Sequence, residues 1–119
     1  MTQPSDEILD ETLRRLAVTG PEWGGGLSNH GPMAAEAMIR MGRPDEVGHW
    51  VDGYLPRLEK APRPSARITD GTWRDALGDG KRVADWAAYL GAQLAGEPWP
   101  DVLARWWPRL VPGLISPYR

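Results

Sequence analysis

The chain has 119 residues, with 14 Lys and Arg against 16 Asp and Glu for a net charge of −2, and no cysteine. That length gives one domain with a real core and little surface left over for a deep enclosed pocket; the balanced charge, with arginines interleaved among carboxylates, argues against a nucleic-acid partner. Lack of cysteine removes disulfides, thiolate catalysis and cysteine-ligated zinc, and no apolar run approaches the ~20 residues that span a bilayer.

In chain order the pattern is helical, with Gly and Pro as punctuation. The N-terminus, Met1 to Glu7, is acidic and lacks the apolar segment of a secretory signal, which points to a cytoplasmic protein with no membrane partner. Ser5 is placed to cap a first helix running to about Val18. Ile8, Leu9, Leu13 and Leu16 form its apolar side, and Gly20-Pro21 stops it. Residues 21–31 hold Trp23-Gly24-Gly25-Gly26, a hinge or close-approach loop; no Lys-Ser/Thr follows, so it is not a P-loop.

A second helix is expected from Pro32 to Met41, ended by Gly42. Met33, Ala34, Ala37 and Met41 share a side and Met38 and Ile39 flank it, which predicts the most buried helix of the set. Glu36 and Arg40 interrupt this surround four residues apart, as an intrahelical ion pair would; the functional alternative is a carboxylate facing the same cavity as His30. The third helix starts at Pro44, and Val47, Trp50, Val51, Tyr54, Leu55 and Leu58 follow one apolar face until Pro56 kinks or ends it near Tyr54.

Residues 59–70 form the longest irregular segment, a crossing loop between two helical halves. A short helix is expected at 71–77, carrying Trp73 and Leu77. A longer one follows at 81–95, with Val83, Trp86, Ala87, Leu90 and Leu94 on one side. Its other side, Ala84, Ala88, Gly91, Ala92 and Ala95, is small enough to admit a second helix closely. Pro98, Trp99 and Pro100 start a last helix in which Val102, Leu103, Trp106, Trp107 and Leu110 cluster and whose end Pro108 disturbs. The sum is a single all-α domain over residues 1–119, about six helices in an irregular antiparallel bundle.

Two histidines are the only ring nitrogens available as base or metal ligand. His49 lies about 180° from the apolar face of the third helix and points to solvent or a partner. His30 sits at the mouth of the second helix, hemmed in by Asn29 and by Gly31-Pro32. Those neighbours also look like an ordinary helix start, so a structural histidine is the plain reading and a catalytic one the functional alternative. The seven tryptophans, against three Tyr and no Phe, anchor either a core or a flat aromatic ligand.

Four stretches in order, Ser28-Asn29-His30-Gly31-Pro32-Met33-Ala34-Ala35-Glu36-Ala37, Gly42-Arg43-Pro44-Asp45-Glu46-Val47, Trp50-Val51-Asp52-Gly53-Tyr54 with Arg57-Leu58, and Trp73-Arg74-Asp75-Ala76-Leu77-Gly78-Asp79 with Arg82 and Asp85-Trp86, resemble the N-terminal part of the questin oxidase-like family. The resemblance runs from about residue 7 to residue 114. It implies an oxygenase that oxidises or opens the ring of an aromatic polyketide or quinone, aided by non-haem iron or by reduced nicotinamide (NADPH). Carried over, His30 is the catalytic residue and a metal ligand. Asn29 shapes its setting and contacts substrate, and Trp23, Trp50 and Trp86 flank a flat aromatic molecule. Family members are longer and supply further histidines after the segment matching Leu110 to Leu114. An iron site needs about three protein ligands, so a homo-oligomer or a companion chain is expected to complete it. The alternative is a non-catalytic helical module that binds a planar aromatic ligand or a partner protein.

Overall fold

The structure, a computed structural model, describes residues 4–114. Five α-helices and one two-stranded sheet lie among the described residues, so the protein is all-α. Contacts divide the chain into two compact units, Met1–Ala61 and Pro62–Arg119. Each has its own core.

In the first unit, α1 spans Ser5–Leu16, with Asp6 and Glu7 in its first turn and Arg14 and Arg15 in its last. These charges complement the helix dipole at both ends. Ser5 is the first helical residue and not the cap expected of it; Pro4 holds that position, its carbonyl accepting from the Ile8 N–H. Strands β1 (Glu22–Trp23) and β2 (Leu27–Ser28) then pair antiparallel around Gly24, Gly25 and Gly26. All three glycines have positive φ, which lets so short a hairpin close. The expected loop is therefore a hairpin.

Helix α2 (Gly31–Arg40) and helix α3 (Val47–Tyr54) complete the unit, a 3-10 turn at Pro44–Glu46 leading into α3 and another at Leu55–Arg57 leaving it. The core is Ala35, Val47 and Val51, packed against Ile8, Leu9, Met38, Ile39, Trp50 and Leu55. Here the expected burial of α2 fails. Met33 and Met41 are 64 and 68 % exposed, and the helix buries the Gly31, Ala35, Met38 and Ile39 side instead. Because α2 is apolar nearly all round, its pattern admitted either face; on the buried one, Gly31 lets Leu16 of α1 come close. Pro56 does end α3 near Tyr54, as expected. Two backbone hydrogen bonds, Gly20 N–H to the Glu59 carbonyl and Ala61 N–H to the Val18 carbonyl, flank a Thr19–Lys60 bridge and tie the end of the unit to the segment after α1.

In the second unit an irregular stretch leads to α4 (Val83–Gly96) and α5 (Trp99–Leu114). Residues 71–77 are a run of turns and no helix; Thr72, Asp75, Ala76 and Leu77 each donate to the carbonyl three residues back. Gly71 and Gly78 bracket the segment, and it is too short to repay helix nucleation. The Asp79 carboxylate accepts from the Lys81 N–H and starts a 3-10 turn, Gly80–Arg82, that runs into α4. Helix α5 continues through Pro108 and Pro112, contrary to the expected disturbance. The carbonyl that Pro108 leaves unpaired belongs to the exposed Ala104, where water can satisfy it. Val102 and Trp106 anchor α5 in a core with Ile68, Trp73 and Ala76, and Trp86, Tyr89, Leu90 and Leu110 pack around them.

Candidate functional site

The first unit brings four of the expected site residues to one place. The hub is Tyr54, whose hydroxyl accepts a 3.0 Å hydrogen bond from the His30 backbone N–H. Its ring stacks on Trp50, four residues earlier on α3, with centroids 4.7 Å apart and planes at 20°. Trp23 meets the same ring edge-on at 6.2 Å, its indole N–H donating to the Ser28 carbonyl. Sequence periodicity gave Tyr54 only as part of an apolar face; that it organises the surroundings of His30 is a finding of the structure.

Asn29 is a clamp. Its Nδ2 donates to Thr19 Oγ1 at 3.0 Å and to the Gly20 carbonyl at 2.9 Å, and its Oδ1 accepts from the Gly31 N–H at 2.9 Å. These bonds use its donors and an acceptor in closing the helix start. His30 precedes α2 with its side chain exposed, and its ring nitrogens make no hydrogen bond among the described residues. Glu36 pairs with Arg40 at 2.8 Å on the exposed side, so the ion pair is the reading that holds for Glu36. His49 is exposed. No group of three or more His, Asp or Glu among the described residues is placed to hold a metal ion. A metal on His30 would need its remaining ligands from elsewhere.

Trp86 belongs to the second unit, where its Nε1 donates to the Ala76 carbonyl at 3.0 Å and its ring meets Trp106 edge-on at 5.6 Å. It is a wall of that unit's core. Beside this core runs a broad open groove of about 1290 Å³, within the second unit. Small residues of α4, Ala88, Ala92 and Gly96, are part of its lining. Arg105 and Arg109 of α5 also line it.

The groove walls carry charge in two distinct states. Asp85, only 2 % exposed, accepts from the Ser65 and Ala66 N–H groups and pairs with Arg82. The Arg82 hydrogen bond, with help from those two backbone donors, holds the Asp85 carboxyl at about 2, from an ordinary value of 3.8. Arg105 pairs with Glu97, which lowers the glutamate pKa, and donates to Gln93, which in turn accepts from Trp106 Nε1 at 2.8 Å. Tyr89 donates to Asp70; burial, and then that carboxylate, raises the phenol above its usual range. Arg74 stands 4.3 Å from the Trp73 ring centre and Arg109 5.3 Å from it, the latter also 4.7 Å from that of Trp106. Neither these two nor Arg67, which lines the same groove, forms a salt bridge among the described residues. Sequence reasoning missed this arrangement. Its trace was Asp101, Arg105 and Arg109, which at spacings of four form the only charged stripe on α5.

No protein-family model, curated protein or solved structure matches the chain. No helix among the described residues is long and apolar enough to cross a membrane.

Proposed function

We propose that this protein is a non-catalytic binding module and that its groove along α4 holds a segment of a partner protein. The observation that carries this reading is the size and openness of the groove: about 1290 Å³, open to solvent, with Ala88, Ala92 and Gly96 of α4 in its lining. Pockets for small molecules are typically ~300–1,000 Å³ and enclose most of the ligand. An elongated ligand satisfies an open trough better, and small residues in the lining let its backbone approach. The test is selection from a short-peptide library against the wild type and against Ala92→Trp, which fills the trough from an exposed position. Peptides that bind the wild type and lose roughly tenfold or more in affinity for the variant, on the order of 1.4 kcal/mol, support the reading. Failure to select any peptide, or equal binding by both proteins, overturns it.

A second reading keeps the oxygenase chemistry that the questin oxidase-like resemblance implies, with His30 as a metal ligand beside Trp23, Trp50 and Tyr54. Support for it comes from an exposed imidazole with no hydrogen bond among the described residues, next to a half-buried aromatic surface. Its site would be completed by a second chain. Metal content per chain, measured with molecular mass on the same sample, tests it. Near-stoichiometric metal in an oligomer, lost in His30→Ala, supports it, and a metal-free monomer removes it.

A further inference from the structure

Two guanidinium groups share one indole in this protein. Arg74 and Arg109 both approach the ring of Trp73, which is 6 % exposed and fixed in the core by its edge-on contact with Trp106 at 5.1 Å. The ring attracts each cation through its negative face. The cations repel each other, and no carboxylate pairs with either among the described residues. The carboxylates that line the groove nearby are otherwise engaged: Asp85 pairs with Arg82 and Glu97 with Arg105. Both arginines and Trp73 line the groove, so an anion there meets two cations that no carboxylate of the described residues pairs with. Arginine forks match oxyanions, carboxylate or phosphate, in paired hydrogen bonds.

We infer that Trp73, Arg74 and Arg109 form an oxyanion subsite of the groove, which takes a carboxylate or phosphate group of the bound segment. The inference rests on the groove being a binding trough and adds to it the chemistry of the occupant: the partner segment is acidic, by Asp and Glu or by phosphorylated side chains. Arg67, on the same groove and also without a carboxylate partner among the described residues, extends the positive field.

The experiment follows the indole N–H signals by heteronuclear NMR while the wild type is titrated with four probes. These are a Glu-rich peptide, its Gln counterpart, a phosphoserine peptide and inorganic phosphate. Expected are shifts of the Trp73 signal with both acidic peptides and with phosphate, and none with the Gln peptide. Arg74→Gln and Arg109→Gln should each weaken binding roughly tenfold, as loss of a charged hydrogen bond does. Binding should fall as salt rises. A phosphoserine peptide that binds more tightly than the Glu peptide identifies phosphate as the source of the anion; the reverse order identifies carboxylate. Equal binding of Glu and Gln peptides overturns the subsite and leaves the trough. A Trp73 shift with phosphate alone, and no peptide binding, supports the subsite and overturns the trough. No shift with any probe overturns both. The wild-type titrations decide the matter even where a variant fails to fold.

Discussion

Gly31 touches Leu16 where α2 begins: a Cβ on the glycine would lie 2.7 Å from Leu16 Cδ2 and 2.8 Å from Cδ1. Both residues are buried, so neither has room to withdraw. Gly31→Ala should therefore destabilise the first unit by about 1–3 kcal/mol, the usual penalty of overpacking. Leu16→Ala alone should lose about 2–5 kcal/mol. Combined, the two should lose less than their sum, because the truncated leucine makes space for the new methyl. Urea denaturation of the four proteins checks this, and strict additivity would place the strain elsewhere.

Asn29 and His30 are neighbours with opposite consequences. Asn29→Ala strands the Gly31 N–H and the Gly20 carbonyl, so a loss of about 1–3 kcal/mol is expected. His30→Ala removes only an exposed side chain, and its effect should stay within about 0.5 kcal/mol. The urea midpoints of both variants decide. A large loss in His30→Ala would mean that the imidazole is structural.

Acid should loosen the second unit through Asp85. Its carboxyl is depressed from 3.8 to about 2 by Arg82 and the Ser65 and Ala66 amides, so the folded state holds the charged form more firmly than the unfolded chain does. That stabilisation is complete above the unfolded pKa and disappears as pH falls from about 4 toward about 2. Asp85→Asn should flatten this part of the pH profile and lower stability at neutral pH. Thermal melting of both proteins across that range gives the comparison; parallel curves would remove Asp85 as the cause.

Trp106 is the keystone of the second core, 3 % exposed and edge-on to Trp73, Trp86 and Tyr89. Trp106→Ala should destabilise that unit by about 3–5 kcal/mol. Trp106→Phe keeps part of the packing and loses the hydrogen bond to Gln93 Oε1, which still accepts from Arg105, so it should fall between the wild type and Trp106→Ala. Unfolding curves measured on the full chain test the order.

Helix periodicity made α1, α3, α4 and α5 legible, because their apolar residues recur at spacings of three and four. The buried face of α2 was not, since a helix apolar nearly all round has no pattern to choose from. The 71–77 segment read as a helix from Trp73 and Leu77, yet the six residues between Gly71 and Gly78 hold only successive turns, and Leu77 is 42 % exposed. At the first site, Asn29 and His30 stood out for their neighbours' backbone chemistry, which is the chemistry that the Asn29 bonds fulfil. Trp86 did not join them, because sequence cannot say which of seven indoles share a core. The Trp73, Arg74 and Arg109 cluster joins a turn to a helix about 35 residues further on, a distance that no local pattern spans.

The indoles of Trp73 and Trp86 each meet Trp106 nearly at right angles, at 5.1 and 5.6 Å between centroids. At such separations their excited states couple, and the coupled transitions add rotational strength of their own to the far-ultraviolet circular dichroism. Helix content taken from that spectrum would thus be misjudged in this protein. The same coupling supplies a label-free optical reporter of the second unit, because the signal vanishes once the three rings part.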